Sequence, residues 1–501
     1  MAVVFPEYER YDAVGLAQLV ANGEMTADEL LAAAIDRFER LNPTINAVIS
    51  TRFDAAAAEI EAGPPAGPFY GVPYLIKDLA PQLGEPVTFG SVLFRNYTGE
   101  VTPEAIERML GTGLVSLGRT NTPEFGLLPT TEPALFGSTR NPWNLEHSAG
   151  GSSGGAAAAV AAGIVPMANA SDGGGSIRIP ASACGLFGMK PTRGRIPTYP
   201  PGPVDYLSTS LCVSRSVRDA AALLDAISAP IPGARYTPSP PARPFADEVG
   251  IDPQPLRIAI TTESLDGRRL APECVAAVAA AADLLVDLGH HVEEAQPSME
   301  QSVISDGFLT WWMSLAETAA LLVLDEVESR RGGATLRSSV GDRRALRFAT
   351  WLDSRESGRP ALEPFTWGLI EHAMKLTPAR LLMATTDLQA ASYALGSFLS
   401  DYDVFVSPVL GEPPIRLGSI DQTRPFDVVA RELVDYVPYT PIGNFSGFPA
   451  MTVPLHWTDG GLPIGVHFMG LHGAEGELFR LAGQLERARP WFNKRPPTAV
   501  S

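Results

Sequence analysis

Cysteine is scarce in this chain. Cys184, Cys212 and Cys274 are widely spaced among 501 residues and form no C-x-x-C pair. So small and odd a set builds no disulfide framework and suits a reducing cytoplasm, the compartment we expect. Cys184, in SACG, reads as a small core residue rather than a nucleophile. Histidine is also sparse: none of the seven stands in an H-x-x-x-H or H-E-x-x-H spacing, so neither a metal nor another cofactor is indicated. His147 stands five residues before Ser152, His290 and His291 are adjacent, and His467 in GVHFMG reads as a core or near-site residue rather than a base. The chain lacks an uninterrupted apolar run of about 18 residues that would span a bilayer. The start, MAVVFPEYERYDAV, lacks the basic and then apolar regions of a signal peptide. Positive charge is in deficit too. A net charge of −18 and a pI near 4.9 argue against nucleic acid as a partner, and favour solubility and a neutral or cationic substrate.

Glycine, by contrast, is concentrated. From Gly150 to Ser176 the chain reads GGSSGGAAAAVAAGIVPMANASDGGGS, two serine-bearing clusters with Ser152 and Ser176 24 residues apart and Asp172 opening the second. Such density brings backbone close to a reacting group. A phosphate cradle is one reading, but GGSSGGAAAAV lacks the Lys-Ser/Thr that a P-loop needs after its glycines. GSSGG also fits G-x-S-x-G, which would make Ser153 a nucleophile on a strand-to-helix elbow. The preceding NPWNLEHSAG does not read as the required strand. A structural turn would explain one cluster, though less readily two clusters together with Lys77, the lone cation of the apolar segment GVPYLIKD.

Lysine and two serines without histidine suit one chemistry. A neutral lysine amine can deprotonate a serine hydroxyl if burial lowers its pKa. Lys77 lies between Leu75, Ile76 and Leu79, with Asp78 beside it expected to oppose the shift. Ser152 can relay a proton from Ser176 to Lys77, because a hydroxyl both donates and accepts. Backbone N–H groups of Gly173, Gly174, Gly175 and Ser176 can converge on an oxyanion. A helix beginning near Gly154 turns its positive end toward the same place.

The segments GVPYLIKD, GRTNTPEFG, TTEP, GSTRNPWN, GGSSGG, SDGGGSIRIPAS, CG and GMKPTRGRIP follow in order from Gly71 to Pro197. RSVRDAA, YDVFVSPV, NFSGFPAMTVP and GLPIGVHFMG follow further on. In these the chain resembles the amidase signature family of serine amidohydrolases over almost its whole length. The resemblance implies a catalytic set of Lys77 as base, Ser152 as bridging serine, whose preceding peptide bond is usually cis, and Ser176 as acylated nucleophile. It further implies Gly173, Gly174 and Gly175 as the oxyanion loop, with Ser153, Asp172 and Arg178 in support. One departure stands out: where the family usually has Asp, then Thr or Ile, then Gly-Gly-Ser, Asp172 is here followed by Gly173. That loss of a side chain should widen the wall beside the nucleophile. Together with GSTRNPWNL it makes the chain more similar to the 6-aminohexanoate cyclic dimer hydrolases than to malonamidases, with aryl amidases and urethanases as further relatives.

Periodicity organises the rest. Residues 10 to 40 read as two helices, with Thr26 before Asp28 and Glu29 as a capping signal. VPYLIK, LVSLGRT, IVPMANAS, RIAITT, VFVSP, AMTVPLH and IGVHFMG read as strands, with helical stretches between them. This predicts an α/β fold with a large mixed central sheet covered by helices on both faces. Prolines between Ala229 and Pro255 suggest a surface excursion with little regular structure. We expect one amidase domain over 1–501, with N-terminal helices in 1–65, the signature core in 66–230 and a variable helical cover over the cleft in 300–400. Trp311, Trp312, Trp351, Phe365 and Trp367 in that cover either line an apolar entrance or pack its helices. The expected function is hydrolysis of a small-molecule amide or carbamate through an acyl-enzyme; a homodimer is compatible with the resemblance. The rival reading is a glutamine amidotransferase subunit acting with partner proteins on misacylated tRNA. Those subunits typically read SIRQPA after the nucleophile, whereas this chain has Ile179 in place of the glutamine.

Overall fold

The apolar runs become strands, and their neighbours decide which sheet each joins. A computed structural model describes residues 5–330, 350, 354–355 and 358–500. In it β1 (Val48–Thr51), β2 (Pro73–Lys77) and β3 (Val115–Thr120) form a small sheet in the order β1-β3-β2. β4 (Arg140–Asn141) and β5 (Asn144–Ser148) pair as a ribbon. The large sheet takes β6 (Met167–Asp172), β7 (Phe187–Lys190), β8 (Thr209–Ser214), β9 (Arg257–Ile260), β10 (His291–Glu294), β11 (Val404–Pro408), β12 (Ala450–Trp457) and β13 (Pro463–Met469). Its order is β10-β9-β11-β13-β12-β7-β8-β6. The pairs at the β10 end are parallel, and from β11 to β6 every pair is antiparallel. Helices pack on this mixed sheet, among them Arg178–Cys184 against β12 and β13 and Pro272–Asp287 against β11 and β13. The protein thus has the expected α/β fold.

Two details differ from the sequence reading. VPYLIK and LVSLGRT are strands, but of the small sheet: the backbone N–H of Lys77 is taken by the Asn169 side chain at 3.3 Å, so β2 lies beside the edge strand β6 without laddering to it. And NLEHS, read as no strand, is β5. It owes that to distant partners, since Ser148 N–H donates to Ile415 O at 2.8 Å and Asn141 Nδ2 donates to Ser148 O at 3.0 Å.

The N-terminal helices run Ala13–Ala21 and Ala27–Ile45, and Thr26 caps the second as its sequence predicts, with Glu29 N–H on Thr26 Oγ1 and Thr26 N–H on Glu29 Oε2. The proline-rich stretch 229–255 is irregular apart from the short helix Phe245–Glu248. In the expected cover, helices span Gln301–Arg330, Pro364–Ala373 and Pro378–Phe398; Trp351 lies outside the described residues. Among the described residues no helix is long and apolar enough to cross a membrane.

Candidate active site

Lys77 closes β2. All five residues of that strand are buried, and Lys77 is 1% exposed. Alternation along β6 sets Asn169 and Ser171 on one face and Asp172 on the other. Asn169 holds the Lys77 backbone, while Lys77 Nζ donates to Ser152 Oγ at 2.7 Å and to Ser171 Oγ at 3.1 Å. Burial lowers the Lys77 ammonium from 10.5 to about 7, against the opposing charge of Asp172. The opposing carboxylate is therefore not Asp78, as adjacency suggested. Asp78 is engaged elsewhere, by the N–H and hydroxyl of Thr88 and by Arg119 at 3.9 Å, and burial pushes its own carboxyl up to about 6.

Ser152 stands just before the helix Gly154–Ala161, and the Gly151–Ser152 peptide bond is cis. The glycines around it allow close approach: a Cβ on Gly151 would sit 2.6 Å from Thr130 O, and one on Gly155 2.4 Å from Asn121 N. Ser153 is buried, reaches Ser171 O at 3.4 Å and does not line the cavity that Lys77, Ser152 and Ser176 share. Although β5 does precede it, the elbow reading fails at this point.

The second cluster is held from both sides. Asp172 accepts from Gly175 N at 2.7 Å, Ile177 N at 3.2 Å, Arg178 Nε and Nη2 at 2.9 Å each, and Asn444 Nδ2 at 2.8 Å. Burial alone would raise its pKa, but the Arg178 charge and these bonds hold the carboxyl far below the usual range. On the other side Thr440 Oγ1 donates to Gly174 O at 2.7 Å. Gly175 departs from expectation, because its N–H is committed to Asp172. Gly173, Gly174 and Ser176 line the cavity, and their N–H groups have no acceptor among the described residues. Gly175 is sterically required, since at φ +133° its Cβ would lie 2.3 Å from Thr440 Oγ1, whereas a Cβ on Gly174 would press on the tip of the Phe308 ring at 2.9 Å. Gly173 is different: its Cβ would meet only Ser208, at 3.9 Å. The missing side chain noted in the sequence leaves open space on that wall.

The cavity measures about 480 Å³. Phe125, Leu127, Phe308, Trp312 and Ile442 give it a mainly apolar lining. Of the cover aromatics Trp312 lines it. The others among the described residues pack: Trp311 stacks on Tyr206 with centroids 4.6 Å apart, Phe365 lies 5.6 Å from Trp312, and Trp367 Nε1 donates to Glu371 Oε1 at 3.1 Å. Behind the loop, Arg178 Nη1 donates to His467 Nε2 at 3.0 Å, so His467 Nδ1 carries the hydrogen and donates to Ser407 Oγ at 3.1 Å. Burial and the Arg178 charge keep this histidine neutral. It is the near-site core residue expected. Cys184 is buried, with its Sγ on Ala149 O at 3.4 Å.

Sequence reading missed Ser171, Thr440 and Asn444. Ser171 was legible as the residue two along from Asn169 on a strand. Asn444, inside NFSGFPAMTVP, and Thr440 carry no local signal, because their partners lie some 270 positions away (|i−j| of 272 and 266).

Comparison with known proteins decides the family. A family model described as Amidase matches residues 29–479. The chain belongs to the amidase family. As an amidase it is a hydrolase of amide carbon–nitrogen bonds. It is 35% identical over 510 aligned residues to the 6-aminohexanoate-cyclic-dimer hydrolase of Paenarthrobacter ureafaciens, covering 97% of this chain and 96% of that one. Its fold is similar to a solved 6-aminohexanoate cyclic dimer hydrolase complexed with substrate, with a TM-score of 0.86 at 33% identity over 98% of this amidase and 99% of that chain. A bacterial aryl acylamidase of the amidase signature family is similar with a TM-score of 0.80 at 27% identity, over 96% of each chain.

Proposed function

We propose that this amidase works through Lys77, Ser152 and Ser176 with an acyl-enzyme intermediate. The observation that carries the reading is the 2.7 Å contact between a buried Lys77, held near neutrality, and Ser152, in a cavity that Ser176 also lines. Ser176 Oγ attacks the substrate carbonyl carbon as its proton passes to Ser152 and the Ser152 proton to Lys77. Gly173, Gly174 and Ser176 supply N–H groups to the oxyanion, while Gly175, tied to Asp172, gives the loop its shape. The carbon–nitrogen bond then breaks, and the leaving amine takes a proton back through Ser152. Water next cleaves the ester by the same relay run in reverse, releasing the acid and free Ser176. Asp172, Arg178 and Ser153 support the loop and the bridging serine without touching the reacting atoms.

The apolar cavity and the nature of the relatives support nylon-oligomer-like amides or aryl amides as substrates, and carbamates, with the same carbonyl–nitrogen bond, are the third class in view. Three buried, unpaired cysteines agree with a cytoplasmic enzyme. The test is a rate panel on an anilide, a 6-aminohexanoate oligomer and an aryl carbamate with wild type, Ser176→Ala, Lys77→Ala and Ser152→Ala. Turnover of at least one substrate should vanish in the Ser176 and Lys77 variants, and Ser152→Ala should lose about 100-fold to 10,000-fold. A Ser176→Ala protein of full activity would refute the assignment. Silence of the wild type on all three would move weight to a narrower amide substrate or to the partner-dependent subunit.

A further inference from the structure

The cavity is apolar over most of its wall, yet three of its lining residues carry buried oxygens without partners. Asp205 Oδ1, Thr209 Oγ1 and Gln301 Oε1 are shielded from water and accept or donate no hydrogen bond among the described residues. The other halves of these groups are occupied: Asp205 Oδ2 accepts from Gly202 N at 3.1 Å, and Gln301 Nε2 donates to Ser305 Oγ at 3.1 Å. Asp205 belongs to the turn Pro203–Tyr206, and the cover helix Gln301–Arg330 packs on that turn. Two elements remote in sequence therefore bring acceptor oxygens to one cavity. An unsatisfied buried acceptor costs free energy that a donor arriving with a ligand recovers. Two of the three oxygens can only accept, and the Asp205 carboxyl is the one acidic group among the lining residues, so the complement is an N–H donor, best a cationic one. Arg235 acts on Asp205 through its charge, which lowers the carboxyl pKa against the rise that burial causes.

We infer that Asp205, with Gln301 on the wall of the same cavity, is a specificity-determining subsite for a substrate whose chain ends in an ammonium or a second amide N–H. The apolar lining of the cavity that this subsite shares with Ser176 then takes the methylene or ring portion joining the scissile amide to that donor. This rests on Ser176 being the nucleophile, as proposed above.

The experiment measures kcat and KM for a linear ω-amino amide and its N-acetylated counterpart, which keeps an N–H but no charge, and for a third analogue ending in a methyl group. Wild type, Asp205→Asn, Asp205→Ala and Gln301→Leu are compared. Wild type should favour the ammonium substrate over the methyl-ended one in kcat/KM by on the order of tenfold or more, mainly through KM. Asp205→Asn should collapse that preference while retaining part of the preference for the acetylated substrate, and Asp205→Ala should abolish both. If the acetylated substrate is the one wild type prefers, the recognised donor is an amide N–H. Equal kcat/KM for all three with wild type overturns the inference, and so do Asp205 variants that keep the wild-type ratio. The wild-type ratios decide the matter even where a variant fails to fold, and Gln301→Leu should lower the same ratio independently. Loss of Ser176 dependence sinks the proposed function; an active, Ser176-dependent enzyme without end-group preference sinks this inference alone.

Discussion

Lys77 is the single side chain on which the proposed chemistry turns. Its ordinary pKa would leave it an ammonium near neutrality and useless as a base; burial at the end of β2 brings it to about 7, with Asp172 limiting the fall. In the proposed relay the active form is the neutral amine, so activity should be lost as pH falls through that value. We expect kcat/KM on a neutral anilide to rise about tenfold per pH unit below about pH 7 and to level off above it. A steady-state profile from pH 5.5 to 9 checks this, and a flat profile would remove Lys77 as the base. As candidates, Lys77, Ser152, Ser176, Asp172 and Arg178 could be picked out of the sequence because each stands in a short, dense motif. Asp78 misled because neighbours in a chain need not be neighbours in charge: its carboxyl is bound up with Thr88 and Arg119.

At the scale of elements, the short helix Thr440–Ser446 does more than its length suggests. Thr440 holds the carbonyl of Gly174, and Asn444 bonds the carboxylate and carbonyl of Asp172, the carbonyl of Leu207 and the guanidinium of Arg178. The loop expected to bind the oxyanion is thus clamped by a segment from the far end of the chain. Asn444→Ala leaves several buried polar groups unsatisfied, at a stability cost of about 1–3 kcal/mol. It should lower kcat about tenfold or more with little change in KM, because a loosened loop weakens transition-state contacts more than substrate binding. Thermal melts and steady-state kinetics separate the two effects, and a destabilised Asn444→Ala enzyme with wild-type kcat would reduce the residue to a structural one. Strands show the same division of legibility. Apolar runs such as VFVSP and IGVHFMG are recognisable alone, whereas β5, with polar and charged residues, is a strand only because β4 and Ile415 pair with it.

Across the whole molecule, core and cover are tied by two buried carboxyls. Glu124 stands beside Phe125 and Leu127 of the cavity wall. It accepts from Ser91 Oγ at 2.6 Å and from the backbone N–H of Glu363 at 2.8 Å, just before the helix Pro364–Ala373. Glu363 in turn accepts from Ala134 N at 2.7 Å and Gln422 Nε2 at 2.8 Å. Burial, and then the Glu363 charge, push Glu124 up from 4.5 to about 8. A carboxyl raised in the folded state contributes stability that is complete below its unfolded pKa and lost as pH rises through the folded one. Between about pH 5 and 9, therefore, Glu124→Gln should gain thermal stability relative to wild type, because the amide has no proton to lose. Parallel Tm profiles for the two proteins would show that Glu124 does not titrate in this range. The sequence by itself determined the α/β class and the amidase family, and it singled out the glycine loop with its lysine and serines as the candidate site, since these depend on local periodicity and on motifs shorter than about ten residues. Only the tertiary structure decided which carboxylate's charge acts on Lys77, which glycine N–H is already spent, which aromatic lines the cavity and which segment clamps the loop. Each of those is a contact between residues far apart in the chain, and burial, which sets the pKa values, exists only once the chain has closed around them.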